Sequence, residues 1–84
     1  MATGTLRYWA AARAAAGVDS ERYDGTTLAD VIAAVKAAHG EPLARLLDRC
    51  AFVVDDAHIG GRPHDTVTLT EGGTVEVLPP FAGG

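Results

Sequence analysis

The chain has 84 residues, 48% of them apolar and 21% charged, with a net charge of −4; this is the composition of one ordinary globular domain, not of a disordered protein. Its seven basic residues are dispersed from Arg7 to Arg62, which excludes the basic patch that nucleic-acid phosphates or an anionic membrane surface reward. One cysteine, Cys50, permits neither an intrachain disulfide nor a four-cysteine cluster, and with no apolar run of signal-peptide or membrane length the expected compartment is the cytoplasm.

Thr5-Leu6-Arg7-Tyr8-Trp9 alternates Leu6 and Tyr8 against Arg7 and Trp9 and is rich in strand-favouring residues, so a strand with one inward face is expected. Ala10 to Ala16 is alanine-rich and closed by Gly17, which reads as a short helix with a C′ glycine. Val18 to Asp24 is expected to return along the first strand as an edge. Thr27 has N-cap chemistry, with Asp30 three positions on as an approximate capping box. Leu28, Val31, Ile32 and Val35 then recur at helical spacing until Gly40 stops the pattern. Pro42 opens a shorter helix in which Leu43, Leu46, Leu47 and Cys50 continue the inward stripe.

Ala51 to Val54 reads as a buried strand stopped by Asp55-Asp56, and His58-Ile59 as a short strand in a loop broken by Gly60, Gly61 and Pro63. Thr66 to Thr70 and Thr74 to Leu78 alternate apolar with polar residues across the Glu71-Gly72-Gly73 turn, so two further strands are expected. The economical packing is α+β, a mixed sheet with the main helix on one face. If Leu6, Tyr8, Val75 and Val77 point inward, Trp9 and Leu78 point to the open face. An exposed apolar patch containing a tryptophan is a candidate docking surface.

The run Leu69-Thr70-Glu71-Gly72-Gly73-Thr74-Val75-Glu76-Val77-Leu78-Pro79-Pro80-Phe81-Ala82-Gly83-Gly84 resembles the tail of the MoaD/ThiS sulfur carriers, above all that of their molybdopterin synthase small subunits. The amino end agrees: Tyr8-Trp9, Ala10, Arg13 and Gly17 are similar to that family's first strand and following helix. The resemblance implies a ubiquitin-like β-grasp fold over a single domain, 1–84, with a flexible tail at 81–84. It also implies a carrier that is not itself an enzyme and binds no cofactor. A partner adenylyltransferase, using ATP with magnesium, activates the Gly84 carboxylate, and a sulfur donor protein converts it to a thiocarboxylate. The large catalytic subunit of molybdopterin synthase then receives the sulfur to build the dithiolene of the molybdenum cofactor. Residue by residue, Gly84 is the reactive end, Gly83, Ala82 and Phe81 lie in the partner's channel, and Trp9, Leu78, Pro80 and Ile59 face the partner. Two departures from the family pattern touch turns: Asp55 where asparagine is common, and Gly73 where aspartate is common.

The residue types suit that chemistry. A carboxylate is ionised at neutral pH and resists nucleophilic attack until it becomes an acyl adenylate. Glycine lets backbone approach another surface closely. The stretch from Phe81 to Gly84 spans roughly 13 Å when extended, and Pro79 and Pro80 stiffen its start. Cys50 is read as a small core residue, and His39, His58 and His64 as surface residues without metal-ligand spacing. Asp55-Asp56 is read as a solvated turn. A carrier for thiamine or cysteine biosynthesis, a ubiquitin-like modifier joined through Gly84, and a non-reactive interaction module remain alternatives.

Overall fold

The computed structural model describes residues 1–80; the expected flexible tail, with Phe81, Ala82, Gly83 and Gly84, lies outside the described residues. In chain order the elements are β1 (Ala2–Tyr8), α1 (Ala10–Ala16), β2 (Ser20–Gly25), α2 (Leu28–His39), α3 (Glu41–Leu47), β3 (Ala51–Val54), β4 (Ala57–His58), a 3₁₀ turn (His64–Thr66) and β5 (Gly73–Leu78). The strands form one mixed sheet in the order β2-β1-β5-β3-β4. Its centre is the parallel pair β1 and β5, in which Leu6 stands opposite Val75 and Tyr8 opposite Val77. Antiparallel β2 beside β1, reached through α1, and antiparallel β3 beside β5 complete a ubiquitin-like β-grasp.

Each helix forms where its boundary chemistry is written. Thr27 and Asp30 close a complete capping box: the Thr27 side chain accepts from Asp30 N, and the Asp30 carboxylate accepts from Thr27 N at 3.0 Å and Thr26 N at 3.2 Å. Those backbone donors hold the Asp30 carboxyl below its ordinary pKa. Gly17 ends α1 in the left-handed region, at φ 79°. Pro42 sits in the first turn of α3.

All three helices contribute to one core: Ala12, Leu28, Val31, Val35, Leu43 and Leu47 meet Leu6, Tyr8, Phe52, Val54, Val75 and Val77 from the sheet. Each such large side chain stabilises the fold by about 1.5–3 kcal/mol on full burial. Among the described residues no helix is long and apolar enough to cross a membrane.

Two expectations are corrected. Thr66 to Thr70 is not a strand of the sheet. Its alternation is real, since Val67 is 2% and Leu69 5% exposed, but its backbone bonds to the entry of α2, with Leu28 N donating to Val67 O and Leu69 N to Thr26 O, both at 2.9 Å. The segment covers the end of the helix rather than extending the sheet. Ile59, expected to face a partner, is 5% exposed and belongs to the core. The strand before it ends at His58, and Ile59 N bonds to Phe52 O at 3.3 Å, which turns the residue inward.

The two departures at the turns fit each other. Asp55 and Asp56 have φ of 50° and 68°, the left-handed region that Asn and Asp tolerate better than most residues. The Asp55 carboxylate then accepts from Thr74 N at 2.9 Å and Thr70 Oγ1 at 2.7 Å. A Cβ on Gly73 would stand 2.5 Å from Asp55 Oδ1 and 2.6 Å from Thr70 Oγ1, so this acid and this glycine share one space. Next to them, Glu71 accepts from Thr3 N at 2.9 Å and Thr3 Oγ1 at 2.5 Å, and these bonds lower its pKa.

Gly73→Ala is expected to cost about 1–3 kcal/mol by overpacking, read as a lower urea midpoint; an unchanged midpoint would show that the turn yields freely. Glu71 gives a pH signature. Its folded carboxyl binds a proton less readily than the unfolded one, whose pKa is near 4.5, so its stabilisation is complete above that value and fades as pH falls through the depressed folded value. Urea midpoints of the native chain and Glu71→Gln should therefore differ at about pH 7 and converge towards about pH 2; a constant gap would contradict this.

Candidate docking groove at the exit of β5

Parallel pairing brings the carboxyl ends of β1 and β5 to the same edge of the sheet. Trp9 follows β1 directly and its N–H bonds to Val77 O at 3.2 Å, while Leu78 closes β5 opposite Ala51 of β3. Pro79 and Pro80 leave from there. A groove of about 560 Å3 opens between these parts, lined by Trp9, Ala10 and Ala11 at the start of α1, by Ala51 and Leu78 of the sheet, and by Pro79 and Pro80. Arg49 lines it from the turn after α3. Ala10 has φ 49°, a left-handed value for a non-glycine residue, which costs about 1–3 kcal/mol. That turn redirects the chain from β1 into α1 and leaves Trp9 at the corner.

Trp9 is 38% exposed, yet its ring is held. Its Nε1–H donates to Glu76 Oε1 at 3.1 Å, and the Arg7 guanidinium lies 5.0 Å from the ring centroid. Arg7 and Glu76 are themselves cross-strand partners in the β1–β5 register. A cation over an exposed indole contributes about 0.5–1 kcal/mol, and the hydrogen bond fixes the ring's edge, so an apolar wall stands ready without having to be ordered on contact.

The expected partner-facing residues separate on this geometry: Trp9, Leu78 and Pro80 line one groove, and Ile59 lies in the core. Phe81, Ala82, Gly83 and Gly84 lie outside the described residues. Sequence reading missed Ala10, Ala11, Arg49, Ala51 and Pro79 as groove residues and Arg7 and Glu76 as supports for Trp9. The register, which puts Ala51 beside Leu78 and Arg7 beside Glu76, is the signal for Ala51, Arg7 and Glu76; Ala11 and Arg49 come from α1 and the turn after α3, which strand pairing does not place.

Cys50, His39 and Tyr8 are occupied in packing and hydrogen bonds. Cys50 Sγ donates to Leu46 O at 3.2 Å, and burial pushes the thiol up to about 11, far from the thiolate that reactive cysteines need. His39 is not a free surface residue: its Nε2 lies 2.5 Å from Glu21 Oε2, and its ring stands edge-on to Tyr8. Tyr8 Oη donates to the same Glu21 oxygen at 2.6 Å, and burial first, then Glu21, raises the phenol's pKa. Among the described residues no three His, Cys, Asp or Glu side chains converge as metal ligands.

The ThiS family model matches residues 6–84. This chain belongs to the ThiS family. A molybdopterin synthase sulfur carrier subunit from Chlamydomonas reinhardtii is 32% identical to this ThiS-family chain over 80 residues, covering 92% of this chain and 93% of that protein. Among solved structures, small archaeal modifier protein 1 from Methanosarcina acetivorans superposes with a TM-score of 0.82 at 18% identity, over 100% of this chain and 98% of that one. A complex of subunits 1 and 2 of molybdopterin-converting factor from Helicobacter pylori matches with a TM-score of 0.67 at 21% identity, over 98% of this chain and 99% of that one. These two share the β-grasp fold. The ThiS-family chain is a sulfur carrier of the MoaD/ThiS type and a homologue of the molybdopterin synthase small subunit.

The clamp on Trp9 can be read directly because it is the single tryptophan. Glu76→Ala is expected to lower the steady-state fluorescence anisotropy of Trp9 and shift its emission to the red while the melting temperature changes little. Unaltered anisotropy and emission would mean that the hydrogen bond does not hold the ring.

Proposed function

We propose that this protein is the small subunit of a molybdopterin synthase and carries sulfur on Gly84 for molybdenum cofactor biosynthesis. The observation that carries the reading is the family match extending through Gly84, in a chain whose last strand ends at an apolar groove. The carboxylate oxygen of Gly84 attacks the α-phosphorus of ATP on an adenylyltransferase with magnesium, and pyrophosphate leaves. Hydrosulfide, sulfur already at the sulfide level and delivered by a donor protein, then attacks the acyl carbon. The new C–S bond replaces the C–O bond to AMP, AMP leaves and the thiol proton goes to solvent, so that one oxygen of the carboxylate has been exchanged for sulfur. Gly83, Ala82 and Phe81 thread the thiocarboxylate into the large catalytic subunit, while Trp9, Leu78 and Pro80 dock against that subunit's surface.

In this reading the chain itself is not catalytic and binds no cofactor; its folded body orients the terminal acyl group. The half-buried, protonated Cys50 thiol and the His39–Glu21 pair take no part. The H. pylori structure is described as a complex of subunits 1 and 2, which supports a large subunit as the partner here. The curated relative favours the molybdopterin branch over thiamine or cysteine biosynthesis. The reactions are placed in the cytoplasm.

The decisive measurement is intact-mass spectrometry after incubation with the adenylyltransferase, ATP, magnesium and a sulfur donor. The expected product has one oxygen replaced by sulfur, and with the large subunit it converts the cyclic pyranopterin precursor to molybdopterin. Deletion of Gly84 should abolish both. Absence of the mass gain in the intact chain would remove the carrier reading, and a mass gain without molybdopterin formation would redirect the sulfur to another pathway.

A further inference from the structure

Six of the seven basic side chains have a partner within the fold. Arg13 pairs with Asp19, Arg22 with Asp24, Lys36 with Asp48 and Arg45 with Glu41. Arg7 lies over Trp9, and Arg62 donates to Thr66 O at 3.4 Å. Arg49 is exposed and, among the described residues, its guanidinium has neither an acceptor nor a ring. The adjacent acid, Asp48, is engaged by Lys36 at 2.6 Å. The Arg49 backbone is tied down independently, its N–H bonding to Leu46 O at 2.9 Å, so the fold does not need the side chain.

This unpaired cation borders an otherwise apolar groove on a protein whose net charge is −4. A guanidinium presents a planar fork that matches a carboxylate in two parallel hydrogen bonds. Apolar walls that exclude water strengthen such a pair beyond its worth at a bare surface. Trp9, already clamped by Glu76 and Arg7, supplies a wall whose position is set before contact.

We propose that Arg49 is the ionic specificity determinant of this groove, and that its occupant is an apolar segment of the sulfur-receiving subunit bearing an acidic side chain that pairs with Arg49. The inference rests on the synthase reading above. Apolar contacts with Trp9 and Leu78 supply the attraction, and the Arg49 pair sets the register, rejecting a segment with a basic residue in that place. The same pair keeps the small subunit from docking with the tail out of line.

The test is calorimetric titration of the full-length chain into the large synthase subunit at low and physiological salt, for the native chain, Arg49→Lys and Arg49→Glu. Arg49→Glu is expected to weaken binding by about tenfold or more and to flatten or reverse its salt dependence. Arg49→Lys should fall between, because it keeps the charge and loses the fork. Melting temperatures should match the native value, since Arg49 has no partner in the fold. Native affinity and salt dependence in Arg49→Glu would overturn the proposal while leaving the synthase reading intact. A native chain that does not bind the large subunit at all would overturn that reading and this inference with it. An Arg49-dependent dimer in sedimentation, or a shift of the Arg49 Nε resonance in the free chain on deletion of residues 81–84, would assign the groove to a second copy or to the chain's own tail and overturn the proposal.

Discussion

The parallel pairing of β1 with β5 decides what the rest of this small domain can do. With Tyr8 opposite Val77, both strands finish at the same edge, and the residue after β1 and the residues after β5 become neighbours. An antiparallel pairing would send Trp9 and Pro79 to opposite ends of the sheet and no groove would form. The same pairing places β5 between β1 and β3, so the strand leading to Pro79 and Pro80 is hydrogen-bonded on both sides and contributes two fully buried side chains, Val75 and Val77, to the core. The strand from which Pro79 and Pro80 leave is thus one of the best-anchored parts of the molecule.

Anchoring is asymmetric along that strand. At its start, Asp55 and Gly73 share a tight space, Thr74 N bonds to Asp55, and Gly72 N bonds to Thr3 O at 2.7 Å. At its exit stand two prolines, which have no N–H to enter another ladder and a fixed φ that restricts the chain before any partner does. Ordering a residue of free backbone costs about 1–2 kcal/mol. Under the proposed function, a stiff exit from a fixed strand confines the ordering cost of docking to the few residues beyond Pro80, and substitutions that loosen the turn before β5 act on delivery of the terminal acyl group as well as on stability.

What the sequence revealed follows from where the determining contacts lie. The helix α2 was legible because its boundary chemistry is local: Thr27 and Asp30 satisfy each other's backbone within one turn, even with aspartate in the place that glutamate usually takes. The open face holding Trp9 and Leu78 was legible from alternation in β1 and β5. Alternation misled at Thr66 to Thr70, because burying every second residue is equally the mark of an extended segment laid over a helix end. Ile59 misled because the direction of a side chain after a two-residue strand depends on where that strand stops. Arg49 and Ala51 were invisible as groove residues, since they join Trp9 and Leu78 only through the register of β3 with β5 and the turn after α3.

The division between groove and tail suits a carrier that meets more than one protein. Under the proposed function the terminal acyl group is activated by one partner and consumed by another, so neither complex can be permanent. A shallow apolar groove with a pre-set tryptophan provides attraction at low ordering cost, while its modest size limits how tightly any partner holds. Apolar area alone would discriminate poorly between partners, because one apolar segment packs much like another. A single uncompensated guanidinium at the edge adds that discrimination, since it pairs with a segment carrying an acid in that place and repels one carrying a base. The chemistry at Gly84 then needs no recognition of its own: the body selects the partner, and the glycines require only a channel narrow enough to exclude bulkier ends.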